Sequence, residues 1–156
     1  MKPVLGANVV VAGVRGRTGA SNPLMVAGFR RRFIWCCSVP LFYEYEDALN
    51  RAELLLDASI SRAEIAQFLT DLAGVLKSVD PHYLWRPQLR DPGDEMDLET
   101  AVNGRADALV THNIKDFGAA PGRFGIELWT RQRLCGGYPY ESAGIIEFAK
   151  FPENRS

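Results

Sequence analysis

The chain has 156 residues, which is enough for one domain with a hydrophobic core and short for two ordinary domains. Hydrophobic residues make up 47% of it and charged residues 24%, and the formal net charge of -1 excludes a strongly basic nucleic-acid-binding protein. No apolar run is long enough to cross a membrane, and the three cysteines fit neither a disulfide framework nor a zinc site, so we expect a cytoplasmic protein.

Strands and helices are predicted to alternate along the first third of the chain. Residues 3–12 form a nearly continuous apolar run rich in valine, which predicts a strand buried on both faces. A loop rich in glycine and arginine follows, then a short helix over residues 23–32 and a second strand over residues 33–38. Pro40 suits the first turn of the next helix, which we expect to continue toward Leu56.

The clearest helix of the sequence begins after Ser61. Ser61 and Glu64 have the spacing of a capping box, and apolar residues recur behind them at helical spacing as far as Leu76. A short strand is predicted at residues 77–80, and residues 81–93 carry three prolines and predict a loop.

The remaining elements complete the alternation. A helix opens within residues 91–99, a strand begins at residue 106 and ends in a polar turn, and a last short strand lies near residues 126–128, before a turn at residues 130–133. The alternation predicts a parallel sheet covered by helices on both faces. We expect one domain over residues 1–134 and a C-terminal tail over residues 135–156.

Polar residues from several stretches are expected at one edge of this sheet. Open α/β sheets bind ligands at the carboxyl ends of their strands, near the point where the strand order reverses. Carboxylates that share such a place repel one another unless a cation lies among them, so the acidic residues predict a divalent-metal site. The side chains expected at this edge are those of Asn8, Glu44, Asp94, Asn113 and Asp116.

Each of these residues also has a plainer interpretation. Asp94 could be the N-cap of its helix, and Asp97 a favourable charge in the same first turn. Glu44 could belong to a solvated helix face, and Asn113 and Asp116 could stabilise a turn. Their expected convergence on one edge favours a site over these separate roles.

Four segments of the chain carry a family resemblance in their order and spacing: VLGANV (4–9), EYEDAL (44–49), RDPGDEMDLE (90–99) and ADALVT (106–111). Together they resemble the PIN domain, and most of all its branch of toxins from bacterial toxin-antitoxin pairs. Residues 125–131 are similar to the final strand and turn of that branch. The resemblance implies a three-layer α/β/α sandwich and a ribonuclease dependent on Mg²⁺ or Mn²⁺ that cleaves single-stranded or structured RNA. It also implies a homodimer and a cognate antitoxin protein as partner.

The resemblance further implies a quartet of acidic metal ligands that also serve catalysis. The second acid falls on Glu44 and the third on Asp94. The fourth falls within residues 111–116, where Asp116 and Asn113 are the candidates. The metal is therefore expected on Glu44, Asp94 and Asp116.

The first acid of the quartet is missing from this sequence. The resemblance places it at Gly6, and only the neighbouring Asn8, a supporting residue of the site, matches the family there. Because glycine supplies no side-chain oxygen, the resemblance predicts weak metal binding and an impaired enzyme.

Basic side chains near the expected site are candidates for binding the RNA backbone. Phosphate contacts position a nucleic acid without reading its bases, so such a site tolerates many sequences. The candidates are Arg15, Arg17, Arg90, His112 and Lys115.

Two other functions stay open on the sequence. With Gly6 in place of an acid, the chain could be a non-catalytic PIN-fold module that binds RNA or a protein. Alternatively, the Gly-x-x-Gly-x-x-Gly spacing of residues 13–19, after a strand at residues 9–12, resembles a dinucleotide-binding loop. No ribose-binding acid ends the second strand, which disfavours the dinucleotide.

Overall fold

The computed structural model describes residues 1–15, 21–51, 60–82 and 89–136. Within these residues, five short parallel strands form one sheet: β1 (Pro3–Leu5), β2 (Cys36–Ser38), β3 (Lys77–Val79), β4 (Ala108–Val110) and β5 (Glu127–Trp129). The strands lie in the order β3-β2-β1-β4-β5, and all neighbouring pairs are parallel.

Helices cover the sheet and complete the predicted three-layer α/β/α sandwich, so the predicted fold class is confirmed. None of the described helices is long and apolar enough to span a membrane. The helices are α1 (Ala7–Arg15), α2 (Ser21–Phe29), α3 (Val39–Leu49), α4 (Arg62–Ala73), α5 (Pro92–Asn103), α6 (Ile114–Phe117), α7 (Ala120–Arg123) and α8 (Arg131–Gly136).

Helix α4 follows the sequence signals closely. Ser61 Oγ accepts a hydrogen bond from the backbone N–H of Glu64 at 3.1 Å, and the Glu64 carboxylate accepts one from the Ser61 N–H at 3.3 Å. This reciprocal pair is the predicted capping box. The helix ends at Ala73, before the predicted limit at Leu76, because the chain must extend to enter β3.

The prediction of a single strand over residues 3–12 was wrong. Strand β1 ends at Leu5, and α1 begins at Ala7. The two elements meet at Gly6, whose N–H donates to the Val110 carbonyl at 2.9 Å and whose carbonyl accepts from the Val9 N–H at 3.0 Å. A nearly continuous apolar run has no periodicity that marks the change from strand to helix.

The same correction removes the dinucleotide-binding alternative. Gly13 lies buried inside α1, so no strand leads into the glycine-rich segment. The rest of that segment, with Arg17, lies outside the described residues, as does the tail beyond residue 136. The predicted continuation of α3 toward Leu56 was wrong, because α3 ends at Leu49 and Asn50 is its C-cap. The turn predicted at residues 130–133 proves to be the start of α8.

The strand order reverses at β1. From there the chain adds β2 and β3 on one side of the sheet and β4 and β5 on the other. The carboxyl ends of β1 and β4 therefore form the edge at which α/β sheets bind ligands. Val4, Leu5, Leu109 and Val110 are fully buried beneath this edge and hold it on the hydrophobic core.

Candidate functional site

The carboxyl ends of β1 and β4 are connected through Thr111. Its N–H donates to the Trp129 carbonyl at 3.0 Å, and its hydroxyl oxygen accepts from the Asn113 N–H at 3.1 Å and from the Asn8 side-chain amide at 3.5 Å. The amide oxygen of Asn8 is buried and has no hydrogen-bond partner within the described residues. A buried oxygen left in this state costs about 1 to 3 kcal/mol unless a water or a ligand satisfies it.

Asp94 and Asp116 line one cleft at this edge, with a volume of about 590 Å³. Arg90, Lys115 and Arg123 line it as well, so basic side chains surround the two carboxylates. Burial raises the pKa of Asp94 to about 6, with further contributions from the charges of Asp91 and Asp116. The cleft therefore combines a cluster of acids with cations at its rim.

The interpretation of Asp94 as a helix cap was wrong, because Asp91 is the N-cap of α5. The Asp91 carboxylate accepts hydrogen bonds from the backbone N–H groups of Gly93 at 2.7 Å and Asp94 at 3.3 Å. With the cap supplied by Asp91, the side chain of Asp94 is left available for the cleft.

Glu44 lies on α3 with its side chain 32% exposed. Its carboxylate is 3.8 Å from the guanidinium of Arg51, an exposed pair that stabilises little. The cleft lined by Asp94 and Asp116 does not include Glu44. The negative charge of Glu44 nevertheless acts on Asp97 and raises the pKa of that carboxyl.

Asp97 is the acidic residue that the sequence reasoning missed. With Asp91 as N-cap it is the sixth residue of α5, beyond the first turn, so its interpretation as a first-turn charge was wrong. It is only 6% exposed. Burial raises the pKa of Asp97 well above its usual range, and the charges of Asp94, Glu44 and Asp91 raise it further.

Sequence spacing did contain a signal for Asp97. Residues three apart on a helix share a face, so the side chain of Asp97 lies on the same face of α5 as that of Asp94. Two carboxylates on one helix face, near the carboxyl end of a neighbouring strand, indicate a metal site more strongly than either aspartate alone.

The other candidates are spread around this edge. Asn113 precedes α6 and is exposed, without a capping hydrogen bond from its side chain. Arg15 is exposed at the end of α1. His112 is exposed after β4, and partial burial and the charge of Arg131 lower its pKa. Arg123, which lines the cleft, was not recognised from the sequence.

The oxygen atoms at this edge suit a divalent cation such as Mg²⁺ or Mn²⁺. Both ions prefer carboxylate, amide and water oxygens, and the edge offers carboxylates together with the unpaired amide oxygen of Asn8. No three acidic, histidine or cysteine side chains of the described residues already lie in an arrangement that could hold a metal ion. Mutual repulsion opposes such an arrangement until a cation enters.

Comparison with known proteins places this chain in a family. A crystal structure of VapBC2 from Rickettsia felis, bound to a DNA fragment from their promoter, contains a similar chain with a TM-score of 0.56 and 18% identity. The match covers 83% of this chain and 98% of that one, and it shows a common fold. Comparison with curated proteins found no match. The family model of the PIN domain matches residues 2–115, and the chain therefore belongs to the PIN domain family.

Proposed function

We propose that this chain is a metal-dependent ribonuclease of the toxin type, which hydrolyses phosphodiester bonds in RNA. The observation that carries the proposal is the cleft in which Asp94 and Asp116 lie among basic side chains. Carboxylates can hold a divalent cation and basic groups attract the phosphate backbone, and a metal-dependent nuclease needs both within reach of the scissile bond. Membership of the PIN domain family supports the same chemistry.

Glu44, Asp94 and Asp116 are the proposed ligands for Mg²⁺ or Mn²⁺. When bound, such an ion activates a water molecule and offsets negative charge at the phosphate. Asn8 offers its unpaired amide oxygen to the same edge, and Asn113 lies at the start of the helix that carries Asp116. These two amides would orient water or phosphate oxygens without adding charge.

The basic side chains of the cleft are proposed to hold RNA. Arg90, Lys115 and Arg123 line the cleft beside the carboxylates, so a phosphate bound by them would lie near the proposed ligands. Arg15 and His112 lie elsewhere at the surface and would contact more distant nucleotides. Contacts of this kind favour single-stranded or structured RNA by its charge and shape and do not read its sequence.

The proposed partners are a cognate antitoxin protein and a second copy of this chain. The similar chain belongs to a VapBC2 complex, which supports an antitoxin for this chain. We expect expression of the chain to arrest bacterial growth and coexpression of the antitoxin to relieve the arrest. Light scattering should give the mass of a dimer, and a monomer at micromolar concentration would exclude the homodimer.

Cleavage of single-stranded RNA in the presence and absence of Mg²⁺ or Mn²⁺ tests the proposed activity. The chain should cleave only with metal, and Asp94→Asn should lose at least about a hundredfold in rate because a ligand is removed. The glycine at position 6 predicts slower turnover than in a family member with aspartate there. A rate that does not depend on metal would contradict the proposal.

A non-catalytic RNA-binding module is the second candidate. The observation that favours it is Gly6, which offers no carboxylate at the first ligand position. Such a module would bind RNA through the basic rim of the cleft and would not cleave it with either metal. Gel-shift and cleavage measurements on the same RNA separate the two functions.

A further inference from the structure

We infer that Asp97 supplies the carboxylate that position 6 does not, so that the metal site of this chain is completed from α5 instead of from the end of β1. This inference rests on the proposed metal-dependent function. It goes beyond that function because Asp97 is outside the ligand set expected from the sequence.

The position of the Asp97 carboxylate beside Gly6 is the first argument. A β-carbon on residue 6 would lie 3.0 Å from Asp97 Oδ2 and 3.2 Å from Asn8 Oδ1. An aspartate at position 6 would have to extend its carboxylate from that point. A carboxylate oxygen from α5 thus already lies 3.0 Å from the point where the side chain of residue 6 would begin.

The backbone at Gly6 gives no other reason for glycine. Gly118 and Gly125 have positive φ values of 51° and 72°, which favour glycine, whereas the φ of Gly6 lies outside this region. The backbone conformation of position 6 therefore does not require glycine. The size of the side chain at position 6 is limited by the neighbouring Asp97, because a β-carbon 3.0 Å from Asp97 Oδ2 is closer than ordinary van der Waals contact.

The surroundings of Asp97 are the second argument. Its side chain is nine-tenths buried, and within the described part of the chain no hydrogen bond or ion pair reaches its carboxylate. The charged groups that act on it most, Asp94, Glu44 and Asp91, are all acidic. A buried carboxylate among acids is strongly unfavourable in its charged form, so it either keeps a proton or is compensated by a cation.

Asn8 contributes an independent observation. Its buried amide oxygen has no partner within the described residues, although its amide nitrogen donates to Thr111. That oxygen and Asp97 Oδ2 come from different elements, and both lie within 3.2 Å of the same point beside Gly6. A carboxylate oxygen and an unpaired amide oxygen at one point are ligands of the kind that hard cations prefer.

This arrangement changes what restoration of the family residue should do. In Gly6→Asp alone, two carboxylates would compete for one space and would repel each other, so the variant should bind metal no better than the wild-type protein. In Gly6→Asp combined with Asp97→Ala, the carboxylate is supplied at the end of β1, and the loss of the Asp97 carboxylate leaves room for it. The double variant should therefore bind metal as well as the wild-type protein does.

Calorimetric titration of the full chain with Mn²⁺, without RNA, tests the inference. Asp97→Asn should weaken binding at least about tenfold, because removal of a mere supporting contact already costs about 10- to 100-fold. Glu99→Gln is the matched control, since it removes another buried carboxylate from α5 and should bind Mn²⁺ as the wild-type protein does. Thermal unfolding without metal will show that both variants are folded.

The outcomes separate this inference from the function on which it rests. Binding by Asp97→Asn within about twofold of the wild-type value would overturn the inference and leave the metal-dependent function intact. If the Gly6→Asp, Asp97→Ala variant binds Mn²⁺ and the wild-type protein does not, the inference is also overturned, because Asp97 then does not replace the missing ligand. Absence of Mn²⁺ binding in every variant would overturn the proposed function itself.

Discussion

The hydroxyl of Tyr45 donates a hydrogen bond to the carbonyl oxygen of Leu5, the last residue of β1. Tyr45 is fully buried and also accepts a hydrogen bond from the indole N–H of Trp35 at 3.4 Å. Through this contact, helix α3 holds the end of β1 directly before Gly6. The edge that bears the candidate site is thus held in part by a buried side chain outside the proposed ligand set.

Tyr45→Phe should destabilise the protein. The variant leaves the Leu5 carbonyl without its donor in a buried place, which costs about 1 to 3 kcal/mol of unfolding free energy. Urea unfolding measures this loss. Tyr43→Phe is the control, because Tyr43 is 63% exposed and its variant should unfold as the wild-type protein does. Equal stability of the two variants would show that the contact with Leu5 contributes nothing.

Asp97→Asn should stabilise the metal-free protein at neutral pH. It replaces a buried carboxylate among acids with a neutral amide of the same shape, and the gain should be about 1 to 3 kcal/mol. The same variant is expected to weaken Mn²⁺ binding, and this opposition between stability and binding is typical of a ligand-binding residue. Urea unfolding in EDTA tests the gain, and a less stable variant would contradict the account.

The stability of the wild-type protein should fall as pH rises above about 4. The pKa values of Asp97 and Asp94 are raised in the folded state, so both groups hold protons that the unfolded chain has released. Their contribution to the free energy of unfolding is complete below the pKa of the unfolded chain. It disappears as pH rises through the pKa of each group in the folded protein, which is about 6 for Asp94. Asp97→Asn should reduce the slope of unfolding free energy against pH, measured in EDTA. An unchanged slope would exclude Asp97 as a source of the pH dependence.

Removal of the α5 cap should affect both stability and the site. Asp91→Ala loses two hydrogen bonds to backbone N–H groups and should cost about 1 kcal/mol. Ser61→Ala, the matched control, removes the cap of α4 and should cost a similar amount. Because Asp94 and Asp97 lie on the helix that Asp91 caps, only Asp91→Ala should also change Mn²⁺ affinity. Equal Mn²⁺ affinities of the two variants would show that the α5 cap does not position the site.

Replacement of the basic residues at the cleft should weaken RNA binding. Arg90→Ala, Lys115→Ala and Arg123→Ala should each lower affinity and reduce the slope of log affinity against log salt concentration by about 1, since each removes a phosphate contact. Lys77→Ala, on edge strand β3, is the control and should leave both quantities unchanged. Equal losses in all four variants would indicate attraction by overall charge and no defined site.

Much of this fold was predictable because its signals are local. The capping box at Ser61 and the alternation of strands and helices depend on neighbouring residues alone. The change from β1 to α1 at Gly6 was not predictable, because it depends on a hydrogen bond to Val110, more than a hundred positions along the chain. The place of Asp97 beside Gly6 is likewise a tertiary contact, so its sequence position looked like an ordinary helix charge.

Cleavage of single-stranded RNA by this chain, with Mn²⁺ and with EDTA, decides whether the protein is a metal-dependent ribonuclease. The wild-type protein should cleave with Mn²⁺ and not with EDTA, and Asp94→Asn, prepared identically, should lose at least about a hundredfold in rate. Cleavage by Asp94→Asn at the wild-type rate would show that Asp94 holds no catalytic metal ion. Absence of cleavage in both the wild-type protein and the Gly6→Asp, Asp97→Ala variant would show that the protein is not a ribonuclease.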